Sequence, residues 1–158
     1  MTVHPLPVEI ASQDDRLLRL YRYWNDRRGE LRFPPRASID PVDFPYALGR
    51  VSLIEVQRNP LRFRYRLVGT LLTQHLGYEM TGKYVDDIPE PAMREFTLSF
   101  YERALKRQEP LHEAGTALIE RYSWQHEVLV LPLASDGETI DMLLVYRNTE
   151  RPTAISPA

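Results

Sequence analysis

Between Leu61 and Val68 every second residue is apolar: Leu61, Phe63, Tyr65 and Leu67 alternate with Arg62, Arg64 and Arg66. A strand throws successive side chains to opposite faces, so this stretch reads as a strand with one face toward a core and arginines on the other. Val51 to Gln57 is a second strand-like run, and the turn around Arg58-Asn59-Pro60 joins the two into a hairpin. An isolated hairpin is marginal in water, so it needs further strands or helices against it. Three more strands are predicted at Leu111–Tyr122, His126–Leu133 and Ile140–Arg147. The last two are joined through Ser135-Asp136-Gly137-Glu138, where Asp-Gly suits a backbone turn of positive φ.

Helical periodicity supplies the other elements. A helix is predicted from Ser12 to Arg28, with Ser12 as N-cap, Asp15 three residues on, and Gly29 as the stop. Leu17, Leu20, Tyr21 and Trp24 form its apolar stripe, and the opposite face carries Arg16, Arg19, Arg22, Asp26 and Arg27. Pro34, Pro35, Pro41 and Pro45 then predict an extended connector with at most one helical turn, after Asp40. A short helix from Thr70 to Leu76 ends at Gly77, and Tyr78 to Ile88 reads as turns. Pro89 and Pro91 open a second long helix that Pro110 ends, with Met93, Phe96, Phe100 and Ala104 on its apolar face. The expected architecture is α+β: a five-stranded antiparallel sheet with helices on one face. The first helix is left to cap the other face or to pair with a second copy. The chain divides into an N-terminal helix and connector (1–49), a main domain (50–148) and a polar, fraying tail (149–158).

Composition narrows the function. The 158 residues suit one domain, and a formal charge of −2 gives no general attraction to nucleic acid. The chain has no cysteine, which excludes disulfides, thiol catalysis and cysteine-held metal or iron–sulfur centres. No apolar run approaches the roughly 20 residues of a membrane span, and Met1 to Pro7 lacks a secretory pattern. The expected location is the cytoplasm, with no membrane partner.

Several stretches resemble one family of bacterial, standalone PAS-type proteins. They are Tyr23-Trp24, Arg28-Gly29, Pro35, Ser38-Ile39-Asp40-Pro41 and Leu53-Ile54-Glu55-Val56, followed by Phe63-Arg64-Tyr65-Arg66-Leu67-Val68-Gly69-Thr70, Gly77, Thr81-Gly82-Lys83, Tyr101 and Pro110. The resemblance covers roughly residues 20 to 147 and implies a PAS-like sensory fold in signal transduction. It implies no particular ligand.

The same resemblance places a ligand between the sheet and the central helices, where Phe63, Tyr65, Leu67, Leu72, His75, Tyr84 and Phe100 are the candidate lining. The bland alternative is a filled core with aromatic side chains as bulk. Some PAS sensors bind haem, and His75 is the residue that would ligate it. A lone histidine is more often a hydrogen-bonded or surface residue, so no cofactor is assigned. Arg64 and Arg66 are candidate interface residues with the stripe of Leu17, Leu20, Tyr21 and Trp24. The arginine face is expected to pair with Asp14, Asp15 or Asp26, or with a second subunit, rather than with nucleic acid, because the aromatic side chains point the opposite way. Asp40 with Asp43, and Asp86 with Asp87, are read as turn caps rather than catalytic pairs. The expected function is therefore a non-enzymatic sensory module. Its expected partners are an unknown small molecule and either a second copy or a regulatory protein. A dimeric adaptor with a filled core is the alternative.

Overall fold

The computed structural model of the chain describes residues 5–119, 121–149 and 153–154. Among them lie α1 (Asp15–Arg28), β1 (Val51–Gln57), β2 (Arg62–Val68), α2 (Thr70–Leu76), α3 (Pro91–Arg107), β3 (Leu111–Ile119), β4 (Tyr122–Leu133), β5 (Met142–Thr149) and β6 (Thr153–Ala154). The strands form one antiparallel sheet in the order β2-β1-β5-β4-β3, and the two-residue β6 pairs with the start of β4. The first hairpin thus docks through β1 on the last long strand. This is the α+β architecture that the hydrophobic pattern predicts.

Residues directly opposed across a ladder share a face, so the pairing register sorts the core. Tyr146 stands opposite Val51 and Leu129, and Leu144 opposite Leu53 and Leu131. The Tyr146 hydroxyl donates to Asp14 at the start of α1, so this is the face that α1 covers. Val145 stands opposite Ser52 and Val130 on the other face, beneath α2 and α3. Strands buried on both sides read as unbroken apolar runs, which is what Val128–Leu131 and Leu143–Tyr146 are.

That two-sided burial places α1 in its own chain. Leu17, Leu20, Tyr21 and Trp24 lie in the core, and the Trp24 indole donates to the Pro132 carbonyl at 2.8 Å. Burying four large side chains is worth about 6–12 kcal/mol before entropy. The four are therefore core residues and not a free interface. The helix begins two residues later than the Ser12 cap implies. Asp14 is the N-cap, accepting from the Arg16 and Leu17 amides at 3.0 and 3.4 Å, and Ser12 instead accepts the Asp14 amide and donates to Glu127.

Other boundaries also differ. The connector makes three short 3-10 turns, Arg36–Ser38, Pro41–Asp43 and Leu48–Arg50, and buries Phe33, Ile39 and Phe44 in the common core. β4 begins at Tyr122, earlier than expected, because residues 123–125 find ladder partners opposite 116–118. β5 starts at Met142, after a connection in which Asp136 accepts from the Glu138 and Thr139 amides and Gly137 takes φ 80. Of the expected tail, 150–152 and 155–158 lie outside the described residues, while Thr153 and Ala154 pair with Ser123 and Tyr122. Among the described residues no helix is long and apolar enough to cross a membrane.

Candidate functional site

The register between β1 and β2 slips once. Leu53 stands opposite Leu67, but Ile54 stands opposite Tyr65, which leaves Arg66 as an extra residue. Such a bulge reverses the parity of everything beyond it. Phe63 and Tyr65 therefore face α3, Leu67 turns to the α1 side, and Val68 takes the inward place expected for Leu67.

Two glycines then set the roof. A Cβ on Gly69 would sit 2.3 Å from the Gly49 carbonyl oxygen, so only glycine lets the chain pass here into α2. Gly77, at φ 84, ends α2 in a left-handed cap. The chain then pairs along the free edge of β2, where the Tyr65 amide donates to the Lys83 carbonyl at 2.8 Å and the Gly82 amide to the Tyr65 carbonyl at 2.7 Å.

Between this roof and the sheet lies a cavity of about 70 Å³. Its floor is Ser52 of β1, Tyr65 and Val68 of β2, His126 of β4 and Arg147 of β5. Leu72, His75 and Leu76 come down from α2, and Met93, Phe96, Thr97 and Tyr101 from α3. Tyr78, Met80 and Ile88 close one end. Most of this wall is apolar, which makes its polar atoms conspicuous. Burial drives the Tyr65 hydroxyl well above its ordinary pKa, the neighbouring Tyr101 adds to the effect, and the Arg147 charge opposes it. The Tyr78 hydroxyl donates to Glu90 at 3.0 Å, and burial and that carboxylate both push its pKa up. His75 Nδ1 is buried with no hydrogen-bond partner among the described residues. Arg147 is half-buried and takes part in none of the ion pairs among the described residues.

Of the candidate lining residues, Tyr65, Leu72 and His75 meet at this cavity. Leu67 faces away because of the bulge. Tyr84 forms an antiparallel bridge with Arg64 and so shares the arginine face, where its hydroxyl donates to Gln57 at 3.1 Å. Phe63 is core: its ring meets the edge of Tyr101 at 5.5 Å. Phe100 is also core, tilted on Phe96 at 6.0 Å beneath the Arg103 guanidinium. The lining residues missed are both apolar and polar. Met93, Thr97 and Tyr101 recur every four positions on α3, a helical row legible in the sequence. Arg147 is a charge that ends an apolar strand run, a second available signal.

The arginine face of β2 pairs locally and not with α1. Arg62 meets Asp86 at 2.8 Å and lies 3.6 Å over the Tyr84 ring, Arg66 meets Glu55 at 3.6 Å, and Arg64 donates to the Gly82 carbonyl at 3.3 Å. Asp14, one of the expected partners, is occupied by Arg16, Tyr146 and Asn148. The paired carboxylates are likewise engaged. Asp40 caps Val42, Asp43 accepts from Tyr23 and Arg27, and Asp87 accepts from the Tyr84 amide. Among the described residues no three His, Asp or Glu side chains gather to hold a metal. Cofactor-sized ligands occupy pockets of about 300–1,000 Å³. The cavity is several-fold smaller, and haem does not fit it beside His75.

No curated protein matches the chain. A family profile described as PAS domain matches residues 13–146, from just before α1 into β5. With the five-stranded sheet, the helical roof and the match across most of its length, the chain belongs to the PAS domain family.

Proposed function

PAS domains are sensory and signalling modules, and we propose that this one senses a small molecule held between its sheet and α2 and α3. The observation that carries the reading is a void in a close-packed interior whose lining includes polar residues without internal partners among the described residues. A core that serves structure alone satisfies its buried polar atoms, since each unpaired one costs about 1–3 kcal/mol. Here His75 Nδ1 is unpaired, and Arg147 has no counter-ion among the described residues. Binding without catalysis suits the site, because the paired carboxylates named above act as caps and ion pairs.

The output runs across β5. Arg147 turns to the cavity, while Tyr146, its neighbour in sequence, turns to the other face and donates to the α1 cap. A ligand that favours one packing of the cavity wall shifts the population of states that α1 presents to a partner protein. The test is native mass spectrometry with thermal melting, for the wild type and for Thr97→Leu, which fills the cavity. A bound mass or a ligand-dependent melting shift, reduced in Thr97→Leu, is the expected result. A bare chain that no compound stabilises would leave the adaptor reading, which the small cavity volume favours. In that reading a partner meets a surface other than the α1 stripe, which is already buried.

A further inference from the structure

We infer that the cavity is built for a short aliphatic monocarboxylate, with Arg147 as its counter-charge. The inference rests on the sensory reading above and specifies its ligand. Arginine remains charged at any physiological pH, and a guanidinium drawn into a protein wall without a carboxylate is costly unless an anion completes it. Arg147 stands in that position. It lines the cavity, its charge acts on the buried Tyr65 hydroxyl, and it belongs to none of the ion pairs among the described residues. Its planar fork matches a carboxylate in geometry as well as charge.

The rest of the wall selects within the anions. Val68, Leu72, Leu76, Met80 and Ile88 offer hydrocarbon contact, which an inorganic anion cannot use and an alkyl tail can. Arginine supplies one permanent positive charge to the floor, which suits a monoanion better than phosphate. His75 Nδ1, buried and unpaired, is a further hydrogen-bonding group for the ligand. Size sets the last limit. A water needs at least roughly 10–15 Å³ of such space, so a cavity of about 70 Å³ holds a ligand of about five to seven heavy atoms. Butyrate has six.

The experiment titrates the wild-type protein with butyrate, with butyramide as its neutral isostere, and with inorganic phosphate. Ring resonances of His75 and Tyr101 are followed by NMR, and affinities by calorimetry. Saturable shifts with butyrate are expected, with butyramide and phosphate weaker by at least about tenfold, the loss of a charged hydrogen bond or of apolar contact. Arg147→Gln removes the preference for butyrate over butyramide, and Arg147→Lys keeps part of it. Should Arg147→Gln fail to fold, the wild-type comparison still decides. Equal binding of butyrate and butyramide, phosphate binding as tightly as butyrate, or an unchanged preference in folded Arg147→Gln, overturns the assignment. A neutral metabolite that raises the melting temperature where carboxylates do not would overturn it and leave the sensory reading standing. A chain that binds nothing in either assay overturns both.

Discussion

At the scale of single residues, Asp14 joins more of the molecule than any other carboxylate described. It caps α1, accepts from the Tyr146 hydroxyl and the Asn148 amide on β5, and pairs with Arg16. Burial pushes its pKa up, but the Tyr146 hydroxyl, the Arg16 amide and charge and the Leu17 amide outweigh that and hold the carboxyl below its ordinary 3.8. A carboxyl lowered by folding stabilises the native state above its unfolded pKa, and that contribution fades as pH falls through the lower folded value. Asp14→Ala is expected to cost about 2–3 kcal/mol, combining a lost cap with an unpaired Tyr146 hydroxyl. Asp14→Asn keeps a cap oxygen and costs less. Urea midpoints at neutral pH and again below pH 3.8 check both: the gap between wild type and Asp14→Asn narrows on the acid side. A gap independent of pH would mean that the carboxylate charge contributes nothing. Gly69→Ala is a second residue-scale case, because its Cβ meets backbone and not a movable side chain. It is expected to displace α2 or unfold the chain, which far-UV circular dichroism and melting detect.

At the scale of elements, α1 is the piece whose partner the periodicity leaves open. A helix's apolar stripe shows that it must be buried, and not in which molecule. The deciding information lies in β4 and β5, whose unbroken apolar runs need cover on both faces. Trp24→Ala is accordingly expected to lower stability by about 3–5 kcal/mol while leaving the oligomeric state of the folded fraction unchanged. Light scattering behind a sizing column, with denaturant titration, reads both quantities. Conversion of a dimer to a folded monomer would assign α1 to an exchanged interface instead. The alternation in β2 reveals its strand and its inward aromatic residues, but Arg66 fits the alternation so well that nothing in the sequence marks it as the bulge. The error on Leu67 follows from that single extra residue. Tyr84 misled for another reason: its face is set by an isolated bridge to Arg64 between segments some twenty positions apart, a long-range pairing that local pattern does not encode. The polar half of the cavity was harder to read still. Ser52, Thr97 and Arg147 come from three elements, and only the tertiary fold brings them together.

At the scale of the whole molecule, the sheet separates two compartments. The cavity lies on one face and α1 on the other, and β5 touches both through consecutive residues, Arg147 and Tyr146. Adjacent side chains on a strand point oppositely, so a small twist or slide of β5 that improves the grip on a ligand moves the Tyr146 hydroxyl relative to Asp14. The consequence is separable by mutation. Tyr146→Phe removes one oxygen from the α1 side of the sheet and leaves the cavity wall intact, so a ligand should bind with nearly unchanged affinity. What should disappear is the effect of binding on the far side. In the wild type, ligand is expected to change hydrogen-exchange protection of the amides in the first turns of α1, where local opening depends on the Asp14 cap. In Tyr146→Phe those amides exchange at one rate with or without ligand. A ligand effect on α1 that survives the substitution would route the coupling elsewhere, with β4 as the other physical link, since His126 lines the cavity and its neighbour Glu127 accepts from Ser12 on the α1 side.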